Sequence, residues 1–385
     1  MRDKRIGILQ VLSSAGLAGG ERYVFDLIRF SSPHFKQIVV LPYSGPFEEA
    51  LHRAEITYYL GGMSSRFSLA SLLKLLALIR MHHIKIIHTH GYRANLHGRV
   101  AGLLSGTPTV STVHVSLFDY TDTPPLSRFI YMLLERLTSF KTSKYICISK
   151  AMKSDLLRLG ISPKKLTLIP NGVDLNRFSQ RSKDLDLIAQ FGIKGKGPVI
   201  GAVGRMVPEK GQIYLIKALS YLKPKYKDLK CVFIGGGPLF PQLKKAASDS
   251  GVKEMCVFVG LRQDIEKIYP LFDVFVLPSL REPFGLSLIE AMATGVPVIA
   301  TNSGGPKDFI RSGINGLLVA PKQPKALAKE IDRLLSDKSF TEELASEGLK
   351  TVKEDFNVAK MVDKIESIYR SSVYITPRRR LRDKK

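Results

Sequence analysis

Val199-Ile-Gly-Ala-Val-Gly-Arg-Met-Val-Pro-Glu-Lys-Gly211 is the stretch whose reading decides the fold. A short apolar run, Val199 to Val203, enters a loop bounded by Gly204 and Gly211, and a helical pattern then continues through Leu222. The same device stands near the start of the chain, where Ile6-Gly-Ile-Leu-Gln-Val11 enters Gly16-Leu-Ala-Gly-Gly20 and a helix is expected from about Glu21 to Phe30. Strand, glycine loop and helix form the opening unit of a parallel α/β domain, so its repetition predicts two of them. Further strands are expected at 37–41, 84–88, 109–113 and 145–148 in the first half, and at 230–234, 257–259, 274–277 and 296–300 in the second. The expected class is α/β, with two doubly wound, Rossmann-like domains facing across a cleft.

The stretch from Asp174 to Lys196 is polar and lacks a strand pattern, which puts the join near Ser179. The expected organisation is an N-terminal domain at 1–178, a C-terminal domain at 179–356, a helix within 357–376 that can cross back to the first domain, and a basic tail at 377–385. Asp184-Leu-Asp186 matches a metal-binding spelling but reads as part of a solvated linker helix.

At 385 residues, 44% hydrophobic and 24% charged, the chain has the composition of a globular protein with room for two full cores. Cys147, Cys231 and Cys256 are odd in number, widely spaced and set in apolar runs, as expected of reduced thiols. Met1-Arg-Asp-Lys-Arg-Ile6 leads into a strand pattern without the apolar core of a signal peptide, so a cytoplasmic location is expected. The net charge of +24 favours an anionic partner, whether lipid, nucleic acid or the phosphates of a sugar nucleotide. Two apolar helices with basic flanks, 66–80 and 127–140, read first as core helices packed on a sheet and the basic tail equally as a solubilising one; the alternative for all three together is peripheral attachment to the inner face of an anionic membrane.

The chemistry concentrates in Arg281-Glu-Pro-Phe-Gly-Leu-Ser-Leu-Ile-Glu290. Asp273 to Pro278 reads as a buried strand and Leu286 to Ala293 as a helix, so Glu282 falls in the connecting loop and Glu290 in the helix's second turn. Between them the backbone N–H groups of Gly285 and Leu286 open the helix, where an anion is stabilised. Carboxylates repel phosphate and accept hydrogen bonds from hydroxyl groups, so a phosphate site between two of them points to a sugar nucleotide. Arg205 and Lys210 lie in the loop after a strand of the same half, and two cations there can clamp a diphosphate. Gly236, in Gly235-Gly-Gly-Pro238, marks a turn where a phosphate, a base or a ribose can approach the backbone. All eight histidines stand at or before position 114. His88 and His90 flank Thr89 at a strand end, with one expected in the core and the other, His90, in the crevice; His114 ends the strand at 109–113.

With these residues in this order the chain resembles family 4 of the retaining, nucleotide-sugar-dependent glycosyltransferases, which have the GT-B fold. Ala18-Gly-Gly-Glu-Arg22, Pro170-Asn-Gly-Val-Asp174 and Gly313-Ile-Asn-Gly-Leu317 add to the likeness, which covers nearly the whole length. The resemblance implies Arg205 and Lys210 at the donor diphosphate, Glu282 beside the donor sugar, and the backbone of Phe284, Gly285 and Leu286 at phosphate. It further implies Glu290 at the ribose, His114 at the sugar near the reacting centre, and Gly19, Gly20 and Glu21 on the acceptor side, where His90 is also expected. Ala18-Gly-Gly-Glu21 departs from the family's Gly-Gly-x-Glu. The implied donor is a UDP- or GDP-sugar, carrying a hexosyl or N-acetylhexosaminyl group. The implied acceptor is a glycan or lipid-linked molecule of cell-surface polysaccharide or glycolipid synthesis, with no cofactor or metal. An epimerase or a phosphorylase on the same fold is the alternative among enzymes, although no lysine has a distinctive pyridoxal phosphate setting. A nucleic-acid-binding protein is the alternative of another class; the charge permits it, yet no RNP-type run, zinc spacing or basic recognition helix stands in the sequence, so no nucleic acid is expected.

Overall fold

The structure is a computed structural model that describes residues 5–62, 68–116, 118, 124–193 and 197–374. The chain forms two compact units: one runs to Asn171 and resumes at Val358, and the other is Gly172–Asn357.

Among the described residues the first unit holds a seven-stranded sheet of β1 (Ile6–Leu12), β2 (Phe35–Leu41), β3 (Tyr58–Leu60), β4 (Ile84–His90), β5 (Thr109–Val113), β6 (Thr142–Cys147) and β7 (Leu166–Leu168). The order is β3-β2-β1-β4-β5-β6-β7, with every pairing parallel. The order reverses between β1 and β4, which puts the ligand-binding crevice of a doubly wound sheet at their carboxyl ends. Alternation along β1 builds the two faces: Ile8 and Leu12 join one apolar cluster, Leu9 and Val11 the other. Helix Val358–Tyr374 packs on the first of these faces through Met361, Ile365 and Tyr369.

The second unit holds β8 (Val199–Val203), β9 (Lys230–Ile234), β10 (Cys256–Gly260), β11 (Val274–Leu277), β12 (Val298–Thr301) and β13 (Leu317–Val319). They are parallel in the order β10-β9-β8-β11-β12-β13. Here the reversal falls between β8 and β11, whose exits carry Arg205, Lys210 and Glu282.

Several expectations need correction. The join lies before Gly172 rather than near Ser179, because 172–178 is fastened to the second unit. Val173 donates its N–H to the Phe356 carbonyl at 2.7 Å, Arg177 pairs with Glu266 at 2.8 Å, and Phe178 is buried against Tyr269. The Asp184 segment is a helix as expected, Leu185–Gln190, capped by the Asp184 carboxylate on the Leu187 N–H at 3.0 Å. Helix Leu69–Met81 starts later than expected and is capped by Ser68, while 63–67 lie outside the described residues. The helix expected at 127–140 is Pro125–Thr138, followed by a 3-10 turn at Ser139–Lys141. The basic tail at 377–385 also lies outside the described residues. Cys147 and Cys231 are buried and Cys256 half-buried, all three free. Among the described residues no helix is long and apolar enough to cross a membrane.

Candidate active site

In the second unit, two loops meet at the β8/β11 reversal and are stitched together by backbone. The Glu209 carbonyl accepts from the N–H of Leu280 at 2.7 Å and of Arg281 at 3.3 Å. Gly211 makes that approach possible: its φ is +61°, and a Cβ there would stand 2.2 Å from the Pro278 carbonyl oxygen. The loop after β12 closes in the same way, since Gly305 N–H donates to the Glu282 carbonyl at 2.8 Å. Gly304, at φ +69°, would drive a Cβ to 2.1 Å from that carbonyl oxygen.

Within this frame Lys210 Nζ lies 2.6 Å from Glu282 Oε2, and Ser279 donates its hydroxyl to the same oxygen at 2.9 Å. Glu282 is buried, so the pair holds its geometry with little solvent screening. Oε1 takes no hydrogen bond among the described residues. Arg205 is exposed, and its guanidinium meets no carboxylate among the described residues; its carbonyl instead holds Gln212 at 2.8 Å.

Helix Leu286–Ala293 begins at Gly285 in the left-handed region, φ +102°, with no side-chain cap on its first turn. Its leading N–H groups therefore keep the partial positive charge that a phosphate seeks. Phe284 packs its ring against Phe309 and Phe356, so only its backbone is available to a ligand. Glu290 is buried in the second turn, and Tyr269 donates to its Oε2 at 2.7 Å. The Gly236 carbonyl accepts from Met206 N–H at 2.8 Å, which lays the 235–238 turn along the Arg205 loop.

In the first unit the β1/β4 reversal gathers the histidines. His88 and His90, two apart on one strand, lie on the same face with ring centroids 4.3 Å apart, and both are buried. This corrects the expectation that one faces the core and the other the crevice. The bonds run in one direction. Gln10 Nε2 donates to Tyr369 OH at 3.1 Å, Tyr369 OH meets His88 Nδ1 at 2.6 Å, and His88 Nε2 meets Thr112 Oγ1 at 2.8 Å. From its other end, Gln10 Oε1 stands 2.8 Å from His90 Nε2, and His90 Nδ1 stands 3.1 Å from His114 Nε2. With Gln10 so oriented, His90 carries its proton on Nε2, and His114 must donate from Nε2 and keep Nδ1 as an acceptor. His90 spends both ring nitrogens on the protein, one on Gln10 and one on His114. Burial pushes His88 down to about 3 and His114 down to about 4, and holds His90 well below the usual histidine range.

Gly20 lies against the His114 ring, 3.8 Å from where its Cβ would be. Gly19 opens helix Gly19–Arg29, and Glu21 turns Oε2 back to the Ala18 N–H at 3.1 Å, so it caps its own helix. The structure thus brings Arg205, Lys210, Glu282, Phe284, Gly285, Leu286, Glu290 and Gly236 to one sheet edge of the second unit, and Gly19, Gly20, Glu21, His90 and His114 to one of the first. Sequence reasoning missed Ser279, Tyr269, Gln10, Tyr369 and Tyr23, whose hydroxyl lies 3.2 Å from Thr112 Oγ1. Ser279 alone had a signal, as the residue next to a strand exit. Among the described residues no cluster of three or more His, Cys, Asp or Glu stands ready to hold a metal ion.

Residues 184–351 match the family model of glycosyl transferases group 1, and residues 17–177 that of glycosyltransferase family 4. The Escherichia coli UDP-Gal:alpha-D-GlcNAc-diphosphoundecaprenol alpha-1,3-galactosyltransferase is 31% identical over 85% of this chain and 86% of its own. The capsular polysaccharide biosynthesis glycosyltransferase CapM of Staphylococcus aureus is 27% identical over 78% of this chain and 80% of its own. In fold the chain is similar to Anabaena Alr3699/HepE, crystallised with UDP and glucose, at a TM-score of 0.86 and 24% identity, covering 95% of this chain and 100% of that one. The two parallel sheets, the Lys210–Glu282 pair at the β8/β11 reversal and these matches agree: the chain belongs to the family 4, group 1 glycosyltransferases of the GT-B fold, enzymes that move a sugar from a nucleotide-sugar donor to an acceptor.

Proposed function

We propose that the chain transfers a hexosyl or N-acetylhexosaminyl group from a UDP-sugar to a lipid-linked or glycan acceptor, with retention at the anomeric carbon and without a metal. The observation that carries this reading is the Lys210–Glu282 pair, 2.6 Å apart beside the uncapped first turn of helix Leu286–Ala293 at the β8/β11 reversal. A diphosphate placed there meets the helix N–H groups, with Lys210 and Arg205 as counter-charges in place of a cation. Glu282 offers Oε1 to a sugar hydroxyl, and Glu290, oriented by Tyr269, suits the ribose hydroxyls. Gly236 leaves room for the nucleoside. In the first unit, His114 Nδ1 accepts from a sugar hydroxyl, while Gly19, Gly20 and Glu21 belong to the acceptor side. In the step itself the acceptor oxygen bonds to the anomeric carbon as the carbon–phosphate oxygen bond breaks. The electron pair leaves with UDP, and the acceptor proton passes to the departing phosphate oxygen.

UDP is favoured by the name of the Escherichia coli relative and by the ligand of the Anabaena neighbour. That relative's diphosphoundecaprenol substrate and the net charge of +24 favour a lipid-linked acceptor at the inner membrane face. A thermal-shift panel of UDP-, GDP- and ADP-sugars, followed by NMR of the product made in EDTA, tests the reading. The expected result is stabilisation by a UDP-sugar and an α-linked product from an α-linked donor. No stabilisation by any sugar nucleotide overturns the donor site; a β-linked product overturns retention; conversion of the donor sugar with no acceptor present favours the epimerase.

A further inference from the structure

We propose that helix Pro125–Thr138, with the turn Ser139–Lys141, is the face by which the chain docks on an anionic lipid bilayer. The inference deepens the reading of a lipid-linked acceptor and rests on it. Leu126, Phe129, Leu133, Leu137 and Phe140 are 71%, 62%, 43%, 58% and 65% exposed. At 100° per residue they fall within about 80° of arc, so they form one continuous apolar stripe. Five large apolar side chains held in water on one helix face mark an interaction surface rather than scatter.

The opposite face explains why the stripe does not turn inward. Glu135, the helix's one carboxylate, is buried 2.6 Å from Arg99, and its two oxygens also take Tyr145 OH at 2.9 Å and Asn95 Nδ2 at 3.1 Å. Thr138 receives a further bond from Arg99 at 2.9 Å. This knot fixes the helix's rotation on the unit and removes its negative charge from the surface.

Charge chooses the occupant. Arg136 flanks the stripe on one side and Lys141 on the other. Lys165 Nζ reaches the Ser139 and Phe140 carbonyls at 2.9 and 3.1 Å, and Lys144 Nζ the Lys164 carbonyl at 2.8 Å, so four lysines crowd the end of the helix. From 136 to 165 the chain carries eight cations against one carboxylate, Asp155, which pairs with Arg158. An apolar stripe rimmed by cations, with no carboxylate on its face, complements acyl chains below anionic headgroups.

Co-sedimentation of the full chain with phosphatidylcholine vesicles, with and without phosphatidylglycerol, tests the proposal. The variants are Phe129→Glu with Leu133→Glu, Arg136→Glu with Lys141→Glu, and the control Leu185→Glu, with melting temperature as the check on folding. Wild type and control should bind the anionic vesicles. The Phe129/Leu133 pair should bind at least about tenfold less, and the Arg136/Lys141 pair should lose the preference for phosphatidylglycerol. Undiminished binding by folded Phe129/Leu133 variant overturns the docking face and leaves attachment elsewhere. Wild type that ignores anionic vesicles overturns attachment itself. A dimer in sedimentation velocity that the same substitutions dissolve, without vesicle binding, gives the face to a second copy of the chain and overturns the lipid assignment.

Discussion

Three neutral histidines in one hydrogen-bonded cluster give the first unit an acid-sensitive point. His88 near 3 and His114 near 4 sit below the roughly 6.5 of an unfolded histidine, and His90 is held down as well. The unfolded chain therefore takes protons first as the pH falls. Their stabilisation is complete above about pH 6.5 and declines below it, by up to about 1.4 kcal/mol per pH unit for each histidine, until the folded values are passed. Asp264 and Asp332, held below the usual carboxylate range by Arg262 and Lys225, lose their contribution only in stronger acid, so the interval from pH 7 to 5 reports the histidines: the cluster, and His82 outside it, which partial burial also holds down. Tyr23 and Tyr369, the other titratable groups on the cluster, are pushed up by burial and stay protonated throughout. The urea midpoint should fall from pH 7 to 5, and His88→Asn should flatten that dependence; equal midpoints at both pH values would count against the cluster.

At the scale of elements, the helix Pro125–Thr138 depends on one ion pair that is cut off from water. Arg99→Ala leaves the Glu135 carboxylate buried without its counter-charge, which costs about 3–5 kcal/mol. Urea unfolding measures this, and a loss under about 1 kcal/mol would place the pair with surface bridges instead. The partners stand 36 residues apart, so nothing local in the sequence announces them. The legible elements were those with long apolar runs beside glycine, such as β1 and β8. Three-residue edge strands, Tyr58–Leu60, Leu166–Leu168 and Leu317–Val319, are too short to show periodicity and were missed. Phe178, a single apolar residue in a polar stretch, anchors 172–178 to the second unit and moved the boundary. In the site, Lys210 and Glu282 were readable because residue type and loop position agree. The supports were not: Tyr369 reaches Gln10 across 359 positions, and only packing of the last helix brings it there.

Over the whole molecule, one sheet logic is used twice, and each unit places its chemistry where its strand order reverses, between β1 and β4 and between β8 and β11. The second unit carries cations, a helix N-terminus and two buried glutamates at its own edge; the first carries, at its own, a histidine whose proton is placed by its neighbours. The central claim is that the β8/β11 edge is a nucleotide-sugar site whose diphosphate is held by Arg205 and Lys210. Isothermal titration of UDP into the wild-type chain and into the Arg205→Ala, Lys210→Ala form, with melting curves showing both folded, tests it most directly. Saturable binding by wild type and a loss of about 10²-fold or more in the variant are predicted, from two hydrogen bonds to charged groups at about 1.5–3 kcal/mol each. Undiminished UDP binding by the folded variant would contradict the claim.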